Sequence, residues 1–122
     1  MNLHIKATNL ELIPRLDDYI RKRAQSLEKL IPKEDTSADL YVEVARTTEH
    51  HKSGDVFRAE FNLHIAGKNI FTTFEGADIY AAIDLAKDEA VQVLRSHRGK
   101  QESRFRRAAR RIKEMMRYPF SR

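Results

Sequence analysis

The stretch FRAEFNLHIAGKNIFTTF, residues 57–74, decides the fold. Its first nine residues place Phe57, Ala59, Phe61, Leu63 and Ile65 on one side and Arg58, Glu60, Asn62 and His64 on the other. That two-residue period belongs to a strand with one face on a core and one on water. Gly67-Lys68-Asn69 turns the chain, and Ile70, Thr72 and Phe74 resume the alternation. A hairpin with one apolar face needs a cover, which must come from the sequence on either side.

Upstream, Leu40, Val42 and Val44 alternate with Tyr41, Glu43 and Ala45, and Leu3, Ile5 and Ala7 alternate with His4, Lys6 and Thr8, which predicts two more strands. Between them Ile13, Leu16, Ile20, Ala24, Leu27 and Ile31 recur at three- and four-residue steps. Pro14 suits the first turn of that helix, and Pro32 stops it. Downstream, Gly76 and Asp78 end the sheet and cap a second helix that buries Ile83, Ala86, Ala90, Leu94 and His97, the last placed to cap carboxy-terminal carbonyls. The same stripe continues in phase through Gln101 to Phe105, Ala108, Ile112 and Met115, as one helix from about residue 78 to 117 or as two separated at Gly99. The order β-α-β-β-β-α predicts an α+β fold: a four-stranded sheet with two helices packed on one face, as in double-stranded-RNA-binding domains. Residues 1–100 are expected to form the domain and 101–122 a basic amphipathic helical tail.

At 122 residues the chain supports one core. It has no cysteine, which excludes a disulfide framework and a thiolate metal site and makes a reducing cytoplasm the expected compartment. MNLHIKATNL alternates instead of carrying an apolar signal core, and no apolar run approaches membrane-spanning length. The charge is localised. Residues 95–122 hold eleven Lys and Arg against Glu102 and Glu114, leaving residues 1–94 with twelve cations against sixteen Asp and Glu. A slightly acidic body with a strongly basic end suits a polyanionic partner. Arg104, Arg106, Arg107, Arg110 and Arg111 crowd five guanidinium groups into two turns, and guanidinium forks onto phosphate in a way ammonium does not, which favours RNA or DNA over a merely solvated face. The amphipathic stripe also suits an anionic membrane surface, but Phe105 is its only bulky aromatic. The stripe Phe105, Ile112 and Met115 is a candidate for self-association.

The candidate RNA contacts are Arg15, Lys22 and Lys29, aligned seven apart on the first helix and interrupted by Asp18; Lys87, Arg95, Arg98 and Lys100 on the second; and the five tail arginines. Catalysis finds no constellation. The four glycines are isolated, the pairs Asp17-Asp18 and Glu34-Asp35 lack apolar enclosure, and no serine sits in a nucleophile elbow. His50 and His51 are adjacent turn residues without the acids or thiols that would complete a metal shell, and His4 and His64 fall on the open sheet face. No cofactor, metal or enzymatic activity is expected. A sheet-platform RNA binder needs aromatics on the open face, whereas Phe57 and Phe61 belong to the core side. Only Tyr41 and Phe71 face out, so recognition across helix faces is expected.

The opening MNLHIKATNLELIP, the helix end SLEKL and above all FEGADIYAAIDLAKDEAVQVLRSHRGK resemble the ribosome hibernation-promoting factor and ribosome-associated inhibitor family over residues 1 to about 100. The most specific part is Asp78 to Asp84, since the second helix of that family opens with acidic-X-Tyr-X-Ala-Ile-Asp. The resemblance implies a non-enzymatic protein of the small subunit's decoding region. There it overlaps messenger RNA and the aminoacyl- and peptidyl-site transfer RNAs, with Lys22, Lys29, Arg98 and Lys100 among the contacts to ribosomal RNA. Two departures stand out. Asp88-Glu89 and Gln92 replace an expected Asp-Lys pair and an Arg, and the tail is basic and too short for a second domain. The missing mid-helix cations reappear beyond Gly99. A second reading, a general structured-RNA-binding or RNA-remodelling module without ribosome specificity, therefore stays open.

Overall fold

The structure is a computed structural model that describes residues 1–47 and 54–117; in the last helix the side chains of 98–106, 108 and 114–117 lie outside the description. The elements are β1 (Asn2–Thr8), α1 (Pro14–Glu28), β2 (Asp39–Thr47), β3 (Val56–Ile65), β4 (Lys68–Gly76) and α2 (Ile79–Arg117). The strands form one sheet in the order β1-β2-β3-β4. β1 runs parallel to β2, and the other pairs are antiparallel. This is the α+β, β-α-β-β-β-α arrangement that the alternating periods predict.

Register decides which residues reach the core. Ile5, Val42, Phe61 and Thr72 lie in one cross-strand row, and Leu3, Leu40, Leu63 and Ile70 in the next. Phe61, Leu40, Leu63, Val42 and Val44 are completely buried, beneath Ile20 and Leu27 of α1 and Ile83 of α2. Each such side chain contributes roughly 2 kcal/mol by leaving water. Thr72 is the one polar residue of this layer among the described residues, and its hydroxyl donates to the Ala86 carbonyl at 2.8 Å, tying α2 to β4.

Three boundaries differ from the sequence expectation. The β3-β4 turn is the two-residue loop Ala66-Gly67, with φ of 51° and 73°, so Lys68 and Asn69 already belong to β4. Two successive positive φ values match the twist of the flanking strands, and that geometric demand outranks the cost of placing an alanine there. α1 begins with Pro14 in its first turn but ends at Glu28 instead of at Pro32. Leu30 and Ile31 donate to Leu27 and Glu28, three residues back, so the last turn tightens before the proline. His97 is no helix terminus. It lies mid-helix, with its ring Nδ1 3.4 Å from Lys68 Nζ.

α2 is a single helix of 39 residues, continuous through Gly99. It spans about 58 Å at 1.5 Å per residue, whereas the ten residues of β3 span about 33 Å. Leu94 is the last fully packed side chain of α2 among the described residues, and beyond His97 the helix overhangs the sheet. Ile112, on the continuing apolar stripe, is 58% exposed. The expected boundary at residue 100 thus falls inside a helix.

Candidate nucleic-acid interface

The two helices that carry the cations are held together by a polar lock. Asp84 accepts from the Tyr19 hydroxyl and from Arg23 Nε, each at 2.7 Å. The Arg23 guanidinium lies 4.1 Å over the Tyr19 ring, and Tyr19 meets Tyr80 edge-on with centroids 4.9 Å apart. Arg15 sits 5.6 Å over the Tyr80 ring from the other end. Burial pushes the Asp84 carboxyl up, but the hydrogen bonds from Arg23 and Tyr19 and the charges of Arg23 and Lys87 outweigh it and hold the group below its ordinary value. Burial and the bond to Asp84 raise the Tyr19 hydroxyl. Asp78, at the head of α2, accepts from the Tyr80 amide at 2.9 Å, an amino-terminal cap. The run Asp78 to Asp84 therefore has a structural reason: it starts α2 and clamps it to α1. Periodicity does not reveal Tyr19 and Arg23 as the partners, because a contact 61 or 65 residues away leaves no mark on local spacing.

On α1, Arg15 and Lys22 are exposed, and Lys29 is exposed one residue past the helix end. Lys22 is in an exposed ion pair with Asp18 at 3.2 Å, so the acid that interrupts the row also screens it. Lys87 is only 19% exposed and pairs with Asp88, which turns it toward the body more than the other candidates. Arg95 is exposed and shares a surface depression with Leu85, Asp88, Glu89 and Gln92. Arg107, Arg110, Arg111 and Lys113 are exposed on the overhang. The side chains of Arg98, Lys100, Arg104, Arg106, Phe105 and Met115 lie outside the described residues, as do His50 and His51. The structure thus brings Arg15 and Tyr80 together at the helix seam and sets Arg107 to Lys113 apart as a separate cationic surface.

The open face of the sheet has a different chemistry. His4 stacks on Tyr41 with centroids 4.5 Å apart and lies 3.2 Å from Asp39, while His64 meets the same Tyr41 ring edge-on. Tyr41 is thereby partly occupied by its own neighbours, and Phe71 is left 55% exposed. Glu43 and Glu60 face each other across β2 and β3, with Thr8 donating to Glu43 at 2.7 Å and Arg58 3.6 Å from Glu43 and 3.1 Å from Glu60. The Thr8 bond holds the Glu43 carboxyl down, while burial pushes Glu60 up, so Glu60 takes a proton first. Phosphate meets carboxylates on this face, whereas on the helices it meets the exposed cations Arg15, Lys22, Arg95, Arg107, Arg110, Arg111 and Lys113. Among the described residues no three His, Asp or Glu side chains converge as a metal site, and no helix is long and apolar enough to cross a membrane.

Comparison with known proteins agrees with this architecture. The family model for the sigma 54 modulation protein / S30EA ribosomal protein matches residues 3–102. The chain is 30% identical over 102 residues to the ribosome hibernation promoting factor of Klebsiella oxytoca, covering 82% of this chain and 96% of that one. It is 30% identical over 104 residues to the factor of the same name from Azotobacter vinelandii, covering 85% and 89%. The crystal structure of the Thermus thermophilus Protein Y N-terminal domain superposes with a TM-score of 0.65 at 24% identity over 80% of this chain and 99% of that one, which shows the shared fold. The matched stretch ends at residue 102, inside α2, so most of the overhang lies beyond it. With the whole sheet, both helices and the Asp78 to Asp84 clamp inside that match, the chain belongs to the sigma 54 modulation protein / S30EA ribosomal protein family.

Proposed function

We propose that the protein is a ribosome hibernation factor that occupies the decoding region of the small ribosomal subunit and keeps messenger and transfer RNA out of idle ribosomes. The observation that carries this reading is the family match over residues 3–102 together with the 30% identity to relatives that bear the hibernation-factor name. The charge distribution supports it. Arg15 and Lys22 of α1 and Arg95, Arg107, Arg110, Arg111 and Lys113 of α2 face solvent while the open sheet face is rich in carboxylates, so ribosomal RNA is met by helix faces through phosphate contacts that position the protein without reading bases. In this account residues 1–100 supply the preference for the site, Lys22, Lys29, Arg95, Arg98 and Lys100 contact ribosomal RNA, and residues 101–122 add affinity. The protein acts where ribosomes are, in the cytoplasm.

Asp88, Glu89 and Gln92, a patch without net positive charge in the first half of α2, favour the second reading, a general structured-RNA binder. Sedimentation of lysate from starved cells separates the two: the hibernation factor co-migrates with ribosomes, and the general binder spreads through the RNA-containing fractions. Lys22→Glu with Lys29→Glu is expected to shift the protein off ribosomes. Its melting should stay within about 0.5 kcal/mol of the parent because both side chains face solvent. A large loss of stability would show that these lysines serve the fold instead.

A further inference from the structure

We infer that the face of α2 turned away from the sheet is a self-pairing surface, and that its occupant is the same face of a second copy, antiparallel, with the two-fold axis near Gly99. The pattern that leads there is one of sign. Leu85, Asp88, Glu89 and Gln92 lie on the solvent side of the helix, opposite the buried Ile83, Ala86, Ala90 and Leu94. Leu85 is 50% exposed, Asp88 pairs with Lys87 of the same helix, and Glu89 has no ion-pair partner among the described residues. Followed along steps of three and four, the same line runs through Ser96, which is exposed, and past Gly99 to Arg107 and Arg110, which are also exposed and without an ion-pair partner among the described residues.

One helix face thus carries an acidic half and a basic half. Because α2 is unbroken, it cannot bend one half onto the other. The halves are matched in distance: Glu89 lies about 15 Å before Gly99, and Arg107 and Arg110 about 12 and 16 Å after it, at 1.5 Å per residue. Two copies crossed antiparallel at Gly99 bring Asp88 and Glu89 of each against Arg107 and Arg110 of the other. Every charge contact is made twice, as a closed two-fold pair requires. The crossing point is suited to close approach, since Ser96 is small and Gly99 has no side chain. The depression is lined by Leu85, Asp88, Glu89, Gln92 and Arg95; its Asp88 and Glu89 end receives the partner's arginines, and Leu85 supplies apolar area beside them. RNA does not fit the whole face, because its acidic half repels phosphate. A basic protein would satisfy only that half, whereas a second copy satisfies both.

Exposed ion pairs are individually weak and the area is small, so the expected dissociation constant is on the order of 100 μM at low salt, rising at least about tenfold in 0.5 M salt. The test is analytical ultracentrifugation of the full chain, free of RNA, over a concentration series that brackets this value. Wild type is expected to dimerise. Asp88→Lys with Glu89→Lys, and separately Arg107→Glu with Arg110→Glu, should each be monomeric. An equimolar mixture of the two variants should dimerise again, because each then offers the sign the other lacks; that recovery also shows both variants to be folded. Wild type that stays monomeric at about 1 mM in low salt, tenfold above the expected constant, overturns the inference. So does a dimer indifferent to both reversals, which would place self-association on the Ile112 stripe, or a mixture that stays monomeric.

Discussion

Removing residues 101–122 is expected to leave a folded protein that binds ribosomal RNA far more weakly at low salt and with a flatter salt dependence. The deletion takes away eight cations, Arg104, Arg106, Arg107, Arg110, Arg111, Lys113, Arg117 and Arg122. With half of them on phosphate, the slope of log K against log salt falls by roughly 3 units, since each neutralised phosphate releases about 0.7–0.9 of a counterion. The fold should survive because the buried side chains described in the sheet and both helices all lie within residues 1–94. Filter binding to small subunits at several salt concentrations, with melting curves alongside, checks both halves. Equal slopes for the two proteins would mean that the overhang touches no RNA.

The second large effect is on stability. Asp84→Ala removes the acceptor of two 2.7 Å hydrogen bonds, one from a charged donor, and leaves Tyr19 and Arg23 at the α1-α2 seam without it. Side-chain exposure of 41% at Asp84 lets water soften the loss. The expected cost is therefore about 2 kcal/mol, near the middle of the range for a hydrogen bond to a charged group, or a melting temperature lowered by roughly 10 °C. Because the fold holds this carboxyl below its ordinary value, its contribution is complete above about pH 4 and fades as pH falls through the lowered value. The gap between wild type and Asp84→Asn should accordingly narrow in acid. A difference under about 0.5 kcal/mol at neutral pH would show that the seam is held by apolar packing alone.

These two predictions rest on parts of the chain that were unequally legible. The sheet could be read from sequence because Phe57 to Ile65 alternate without a break and each strand has one face on water, so a local period reports a global position. The helix stripes were legible for the same reason. The β3-β4 turn starts one residue earlier and ends two residues earlier than expected, because composition points to glycine, while the geometry of a two-residue loop also draws Ala66 into positive φ. At the candidate interface the unequal distribution of charge was visible at once. The distinction between Lys22, screened by Asp18, and Arg107 or Arg110, exposed and without an ion-pair partner among the described residues, is set by the fold and not by the sequence. The Asp84 lock was half visible: its α2 half stands in a recognisable run, and its α1 half, Tyr19 and Arg23, is joined to it only by the fold. The opposite signs along the outer face of α2 became meaningful once the helix was seen to pass through Gly99 unbroken.

The central claim is that this chain occupies the space of messenger and transfer RNA on the small subunit. The most direct test is its affinity for empty small subunits against subunits preloaded with messenger and initiator transfer RNA, measured side by side near 0.15 M salt, where exposed charges are screened beyond about 8 Å. Occupancy of the decoding region predicts tight binding to the empty subunits and binding to the preloaded ones weakened at least about a hundredfold, equivalent to about 2.7 kcal/mol. Equal affinity for the two would contradict it and would leave a protein that takes hold of RNA by charge wherever RNA is exposed.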